Sequence, residues 1–519
     1  MKVLLCHPNQ KVTFEGMRAR PMVGPPLGLL MIAGRLRSSG LPCDIQIYDA
    51  RLSATSTVNE QGETIFGDTD NDSVKRIIAE KPDVVGISNM FTAQIGRAYA
   101  LADLIKAALP ETIVVIGGPH VTVFPLEALA RPSIDYVVLG EGEERFTSLI
   151  ASLLGGDDPA GEGIMGKSEA TALSMDTGAN PLPQVTSIAS AGANVSLKKW
   201  PIRFIADLDR LPLPAYDLVD LESYFDLARR GFSPRYREWG KRPITVITSR
   251  GCPHTCTFCS IHTTMGYKYR TQSIDFVRRH INHLVSKYGV DFIHFEDDNF
   301  THLPERYDEI IKVVSTIRPR IGWDTPNGVR GDSWTRERIR TAKESGCEFL
   351  TVAIESAVPR IMNEIVHKKL DLERVEEMIR WCDEFSLRLH AFYIIGFPGE
   401  TLDEMRTTIA FALDRYRRYG VTPFLQTLIP IPGTPIYKVI LKMGFFKGTL
   451  QTKHNQVTTA DFNPEQVRKL YRRYHWQRMC IFVLRTLTAP RDFFYNTRLV
   501  LKYPHALLQV AKEAIGASR

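Results

Sequence analysis

Residues 1–153 carry five short, nearly continuous apolar runs, KVLLCH, CDIQIYD, DVVGISN, TIVVIGG and IDYVVLG, which predict strands. Amphipathic stretches with helical spacing lie between or after them, among them PLGLLMIAGRLRSSG, AQIGRAYALADLIKAAL and ERFTSLIASLLGG. Strands that alternate with helices predict an α/β domain built on a doubly wound parallel sheet. Residues 154–242 read as a linker, rich at first in Gly, Ala, Ser and Asp and then held extended by Pro212 and Pro214. A second alternation occupies residues 243–445, with strands ITVITSR, DFIHFEDD, IGWDTPN, FLTVAIES, LHAFYIIG and PFLQTLIP. These six β/α units predict a partial (β/α)6 barrel, and residues 446–519 follow as a basic helical C-terminal region.

In both architectures ligands sit beyond the carboxyl ends of the parallel strands. In the first domain those ends bring Ser88, Gly117, Gly118, Gly140 and Glu141 together. Paired glycines there let a large flat ligand approach the backbone. No G-x-G-x-x-G follows the first strand, so an ordinary dinucleotide site is not expected.

Composition adds exclusions. With 44% hydrophobic and 24% charged residues, the chain is neither disordered, collagen-like nor a coiled coil. No apolar run reaches the roughly 18 residues of a spanning helix, and the N-terminus lacks a signal-peptide pattern, so a cytoplasmic protein is expected. The net charge of +7 resides in the tail, where residues 451–519 hold 12 Lys and Arg against 4 Asp and Glu. Two readings fit that basic, aromatic-laced segment. It forms a helical layer packed on the body, or it meets an anionic membrane surface or a hydrophobic substrate. Nucleic acid is the weakest of the partners considered.

Five of the eight cysteines (Cys6, Cys43, Cys347, Cys382, Cys480) are scattered and read as buried small hydrophobes. The other three, Cys252, Cys256 and Cys259, follow the first barrel strand as C-x3-C-x2-C. Three thiolates on one loop can hold three irons of a cubane cluster and leave the fourth open. The competing reading is a structural zinc completed by His254 or His262. Zinc sites usually draw ligands from two knuckles, and no second C-x2-C is present.

C-x3-C-x-aromatic-C, with Phe258 as the aromatic, resembles the radical S-adenosylmethionine (SAM) superfamily. The resemblance implies a [4Fe–4S] cluster on the three cysteines, with SAM chelating the open iron and cleaved to a 5′-deoxyadenosyl radical. It also implies a low-potential electron donor such as a flavodoxin or ferredoxin. Residue by residue it implies SAM contacts at Phe258, at Glu296 and Asp297 after the second strand, at Arg330 after the third, at Glu355 and Ser356 ending the fourth, and at Gly396 after the fifth. A doubly wound domain ahead of such a barrel resembles the cobalamin-binding subfamily, which includes anaerobic magnesium-protoporphyrin ester cyclases and C-methyltransferases. That adds cobalamin, with contacts expected at Ser88, Gly117, Gly118, Gly140 and Glu141. D-x-H-x-x-G is absent; His7 and His120, the histidines before residue 200, do not fit it.

The implied function is methylation of an unactivated carbon in a small molecule, a lipid or isoprenoid being compatible with the tail. Oxidative cyclisation, ring contraction or carbon–carbon coupling would use the same cofactors. A non-catalytic metal- or RNA-binding module is the alternative from another class. No general base is identified.

Overall fold

A computed structural model of the chain describes residues 1–14, 17, 18, 21, 23–59, 62–157, 159, 161–168, 200, 202–232, 241–445 and 457–502. The N-terminal sheet contains β1 (Lys2–His7), β2 (Asp44–Asp49), β3 (Val84–Ser88), β4 (Ile113–Gly117), β5 (Tyr136–Val138) and β6 (Ile164–Gly166), in the spatial order β6-β5-β4-β3-β1-β2. β1 to β5 are parallel, with β1 between β2 and β3. Chain direction across the sheet therefore reverses beside β1, where doubly wound sheets bind ligands. β6 pairs antiparallel to β5 and falls in the stretch read as linker. Its three residues are too few for a periodic signal, and pairing with the β5 edge makes it a strand.

The second domain lays β7 (Pro243–Val246), β8 (Phe292–Phe295), β9 (Gly322–Val329), β10 (Cys347–Glu355), β11 (Arg388–Ile395) and β12 (Thr422–Thr427) side by side in chain order, all parallel. Helices join successive strands, each begun by local chemistry. The helix Leu402–Tyr419 opens on a reciprocal cap between Thr401 and Glu404, and Gly420 in the left-handed region ends it. ITVITSR, expected as one strand, breaks after Val246. Ser249–Arg250 instead pairs antiparallel with Arg270–Thr271, forming a two-stranded ribbon off the sheet.

One continuous apolar core runs through the barrel and takes in Val12, Val23, Leu30 and Phe66 of the first domain. The segment expected as an extended crossing has neither helix nor strand at Pro212–Pro214 and carries 3₁₀ turns at Leu208–Arg210 and Tyr216–Leu218. Asp207 begins the first turn by accepting from the Asp209 amide. The segment lies against the helix α1 (Leu27–Ser38), where a Cβ on Gly34 would stand 2.8 Å from the Leu213 carbonyl oxygen. Tyr216 then reaches the barrel and meets His280 Nε2 at 3.0 Å.

The C-terminal helices α2 (Pro464–Thr488) and α3 (Pro490–Lys502) pack on the barrel. Tyr474 donates to the Pro423 carbonyl at 2.8 Å and Arg485 to the Arg417 carbonyl at 2.7 Å. The packed layer and the membrane-facing segment expected here both extend beyond the described residues, which resume at Val457 after Phe445 and end at Lys502. Of the scattered cysteines, Cys6, Cys347 and Cys382 are buried, Cys43 is half-buried and Cys480 is exposed. Cys43 and Cys480 thus depart from the expected burial, Cys480 because it stands on an exposed side of α2.

Burial, and secondarily His283, lowers the His280 pKa to about 3. The folded form therefore takes its proton less readily than the unfolded chain does. The stabilisation is complete above the unfolded value near pH 6.5 and is lost as pH falls toward 3, at about 1.4 kcal/mol per pH unit. Melting midpoints measured from pH 7 to 5 are expected to fall more steeply for the native chain than for His280→Gln. Parallel curves would contradict this assignment.

Candidate functional site

The cysteine loop leaves the ribbon at Gly251. There φ is +84° and a Cβ would lie 2.3 Å from the Lys268 carbonyl oxygen, so the turn requires glycine. Carboxylates after β8 hold its root. The Gly251 N–H donates to Asp298 Oδ2 at 2.6 Å, while the Thr248 amide and the hydroxyls of Thr248 and Ser249 donate to buried Asp297. On the far side the Thr257 N–H donates to the Val366 carbonyl at 3.0 Å, and its carbonyl accepts from the Ile436 N–H at 3.0 Å. The loop is thereby tied to segments after β8, β10 and β12.

Cys252, Cys256 and Cys259 are free thiols, each partly buried. Burial raises the pKa of all three, that of Cys259 to about 12, and nearby thiolates raise Cys256 and Cys259 further. Three such thiolates coexist only around a strongly cationic centre. The two histidines proposed to complete a zinc site are engaged elsewhere. His262 meets the Cys252 carbonyl at 3.1 Å and stacks on Tyr267 with centroids 3.8 Å apart, while His254 meets His302 edge-on.

The residues expected around SAM divide into two groups. Phe258 packs edge-on against Phe397 with centroids 6.0 Å apart, beside Gly396. Glu355 ends β10 with φ +67° and receives Lys368 Nζ at 2.9 Å. The Lys368 charge also lowers the pKa values of Cys252 and Cys256. These groups surround the cysteine loop. The others make hydrogen bonds to the surrounding scaffold, Glu296 through its backbone. Asp297 holds the loop root, and Ser356 is fully buried with its hydroxyl 3.1 Å from that of Thr408. Arg330 grips Asp332 and the carbonyls of Lys368 and Lys369. Glu296 is half-buried, and its carbonyl accepts from Asn327 at 2.8 Å. Gly396 takes φ +90° and donates its N–H to Glu400 at 2.7 Å. Burial holds the Glu400 carboxyl pKa up at about 8.

Lys368 was missed by sequence reasoning. It lies between a short π-helical turn and the next helix, flanked by His367 and Lys369 at positive φ, and HKK there has no spacing that distinguishes it from a solvated loop.

In the first domain, Gly118 has φ +122°, and a Cβ there would stand 1.9 Å from the Asn89 carbonyl oxygen. At Gly140 it would strike Ile202 at 2.7 Å. Packing therefore accounts for those two glycines. At Gly117 the nearest atom would be 3.6 Å away, so its missing side chain leaves room rather than relieving a clash. Ser88 is half-buried, and beyond it Met90 and Phe91 are more than half exposed. Apolar side chains at a strand-end crevice suit the face of a large macrocycle.

Glu141 is placed differently from the other expected cobalamin contacts. It accepts from Arg250 Nη1 at 2.8 Å, from Arg270 Nη1 at 2.9 Å and from the Ile205 N–H at 2.7 Å. Glu143 pairs with Arg250 Nη2 at 2.5 Å. All four side chains are at least nine-tenths buried.

The B12 binding domain family matches residues 17–150 and the radical SAM superfamily residues 246–412. The cytidylyl-2-hydroxyethylphosphonate methyltransferase of Streptomyces wedmorensis is 30% identical over 86% of this chain and 82% of its own length. An uncharacterized methyltransferase of Pyrococcus horikoshii is 29% identical over 97% of this chain and 96% of its own. Among solved structures, the radical SAM methyltransferase TsrM of Kitasatospora setae, with cobalamin and a [4Fe–4S] cluster bound, superposes with a TM-score of 0.61 and 18% identity. That match covers 85% of this chain and 78% of TsrM.

Replacing any one of Cys252, Cys256 or Cys259 by Ala is expected to lower iron retained after anaerobic reconstitution at least about tenfold, since even groups behind the ligands have effects of that size. The circular dichroism of the fold should not change. Native iron content in any of the three variants would contradict their assignment as ligands.

Proposed function

The chain belongs to the cobalamin-binding radical SAM enzymes, and from that premise we propose that it methylates an unactivated carbon of a small molecule held where its two domains meet. The family's cofactors are a [4Fe–4S] cluster, SAM and cobalamin. When bound, they supply a 5′-deoxyadenosyl radical and a transferable methyl group. The observation that carries the reading is the tie between the cysteine loop and the carboxyl end of β5, where Arg250, two residues before Cys252, pairs with Glu141 and Glu143. That tie brings the strand-end faces of the two domains toward one another.

In this proposal Cys252, Cys256 and Cys259 hold the cluster. Phe258, Phe397 and the Gly396 turn flank the nucleoside of SAM. Lys368 and Glu355 present opposite charges to its amino-acid part, a suitable match for a zwitterion. Arg330, Asp297 and Ser356 fix the loops that carry these groups. Gly117, Ser88, Met90 and Phe91 line the cobalamin side. Pro253 and Thr255 are exposed on the cysteine loop, which suits delivery of an electron by a small low-potential carrier protein such as a flavodoxin or ferredoxin.

The C-terminal helices support contact with an anionic membrane surface. Arg468, Lys469, Arg472 and Arg473 are exposed along α2, and Trp476, Val483, Leu484 and Leu487 continue its outward face. Phe493, Phe494 and Leu501 extend the apolar surface onto α3. Basic residues beside exposed apolar ones are the composition of an interfacial helix. Among the described residues no helix is long and apolar enough to cross a membrane.

Incubation with methyl-labelled SAM and extracted small molecules from the source cell is expected to place label in one product, accompanied by 5′-deoxyadenosine. An unlabelled product with a new ring or carbon–carbon bond would transfer the assignment to cyclisation or coupling. For the tail, sedimentation with phosphatidylglycerol vesicles should exceed that with phosphatidylcholine vesicles. Leu484→Asp combined with Leu487→Asp should weaken it by about tenfold or more, from the loss of buried apolar area. Equal recovery with both lipids would leave the tail as a packed layer alone.

A further inference from the structure

The ribbon register puts Arg250 directly opposite Arg270, at the two points where the cysteine loop leaves and rejoins the ribbon. Like charges facing each other across paired strands repel, and here both guanidiniums are buried. The carboxylates that pair with them come from the other domain, and Asp298 of their own domain lies close enough to feel both charges. Glu141 bridges the two arginines and Glu143 takes the remaining side of Arg250. Glu141 and Glu143 open the helix that follows β5. The linker completes the box, since the Ile205 N–H donates to Glu141 and its carbonyl accepts from Arg270. Two carboxylates of one domain and two guanidiniums of the other thus pair in a buried cluster that neither domain can form alone, with Arg145 on the carboxylate side and Asp298 on the guanidinium side nearby. Buried ion pairs add little net stability over apolar packing, and their best-attested use is to fix register.

Building on the cobalamin-binding radical SAM reading, we infer that Glu141 and Glu143 are positioning residues for the cysteine loop, so that cobalamin-domain docking and cluster retention are thermodynamically coupled. Glu141 then serves the cluster side of the boundary rather than cobalamin itself. A ligand that steadies the loop after β5 steadies the base of the cysteine loop, and the reverse holds by linkage.

The test uses the full chain reconstituted with iron and sulfide, with aquacobalamin as the only added ligand. Loss of iron to a chelator is followed by absorbance with and without aquacobalamin. In the native chain cobalamin should slow iron loss about 5-fold or more, the lower end of ordinary coupling between sites. Glu143→Gln, which removes one charge and keeps the shape, should bring that ratio close to one while cobalamin still binds. Arg250→Lys, which keeps the charge, should retain part of the protection. A native chain that binds cobalamin and iron but shows no protection would overturn the inference. So would a Glu143→Gln variant that keeps full protection. A native chain that takes up no cobalamin or no iron would overturn the underlying family reading instead, so the two failures are distinct.

Discussion

Four buried charges at the domain boundary constrain everything around them. Glu141 and Glu143 reach out from the end of β5, and Arg250 and Arg270 reach back from the ribbon beneath the cysteine loop. Each charge is costly to bury alone, and removing one member of a buried pair typically costs about 3–5 kcal/mol because its partner is left uncompensated. Separating the domains would require rehydrating all four. The box therefore defines one mutual arrangement of the domains, and it does so within two residues of Cys252.

From that arrangement the division of labour among polar residues follows. Many conspicuous side chains at the strand ends are hydrogen-bonded to the loops around them. Asp297 and Asp298 hold the loop root, Ser356 braces the start of the segment after β10, and Glu400 caps the Gly396 turn. Glu355 and Lys368 are the exception, a buried opposite-charge pair beside the thiols. The Lys368 charge favours the thiolate forms of Cys252 and Cys256 against the effect of burial, and three thiolates held together require a cationic centre.

Much of this was legible in the sequence because it is periodic or locally spaced. Eleven strands alternate with helices at lengths the two architectures require, and C-x3-C-x2-C is readable without any fold at all. What escaped was non-local. β6 is a strand only because the β5 edge is available to it. ITVITSR divides because its last residues pair with Arg270–Thr271, twenty residues downstream and invisible to a pattern of alternating apolar residues. Glu141 looked like a ligand contact from its strand-end position; its carboxylate is instead taken up by arginines more than a hundred positions away. Lys368 carries no sequence signal because its importance comes from the folded position of Glu355 and the cysteines.

The central claim is that the cluster and cobalamin sites face one another across this boundary. Pulsed electron paramagnetic resonance of the holoenzyme, with cob(II)alamin and the reduced [4Fe–4S] cluster present together, tests it most directly. The account predicts that reducing the cluster accelerates relaxation of the cob(II)alamin signal through the dipolar interaction of two nearby spins. Two fully occupied centres whose signals are each indifferent to the other's oxidation state would contradict it.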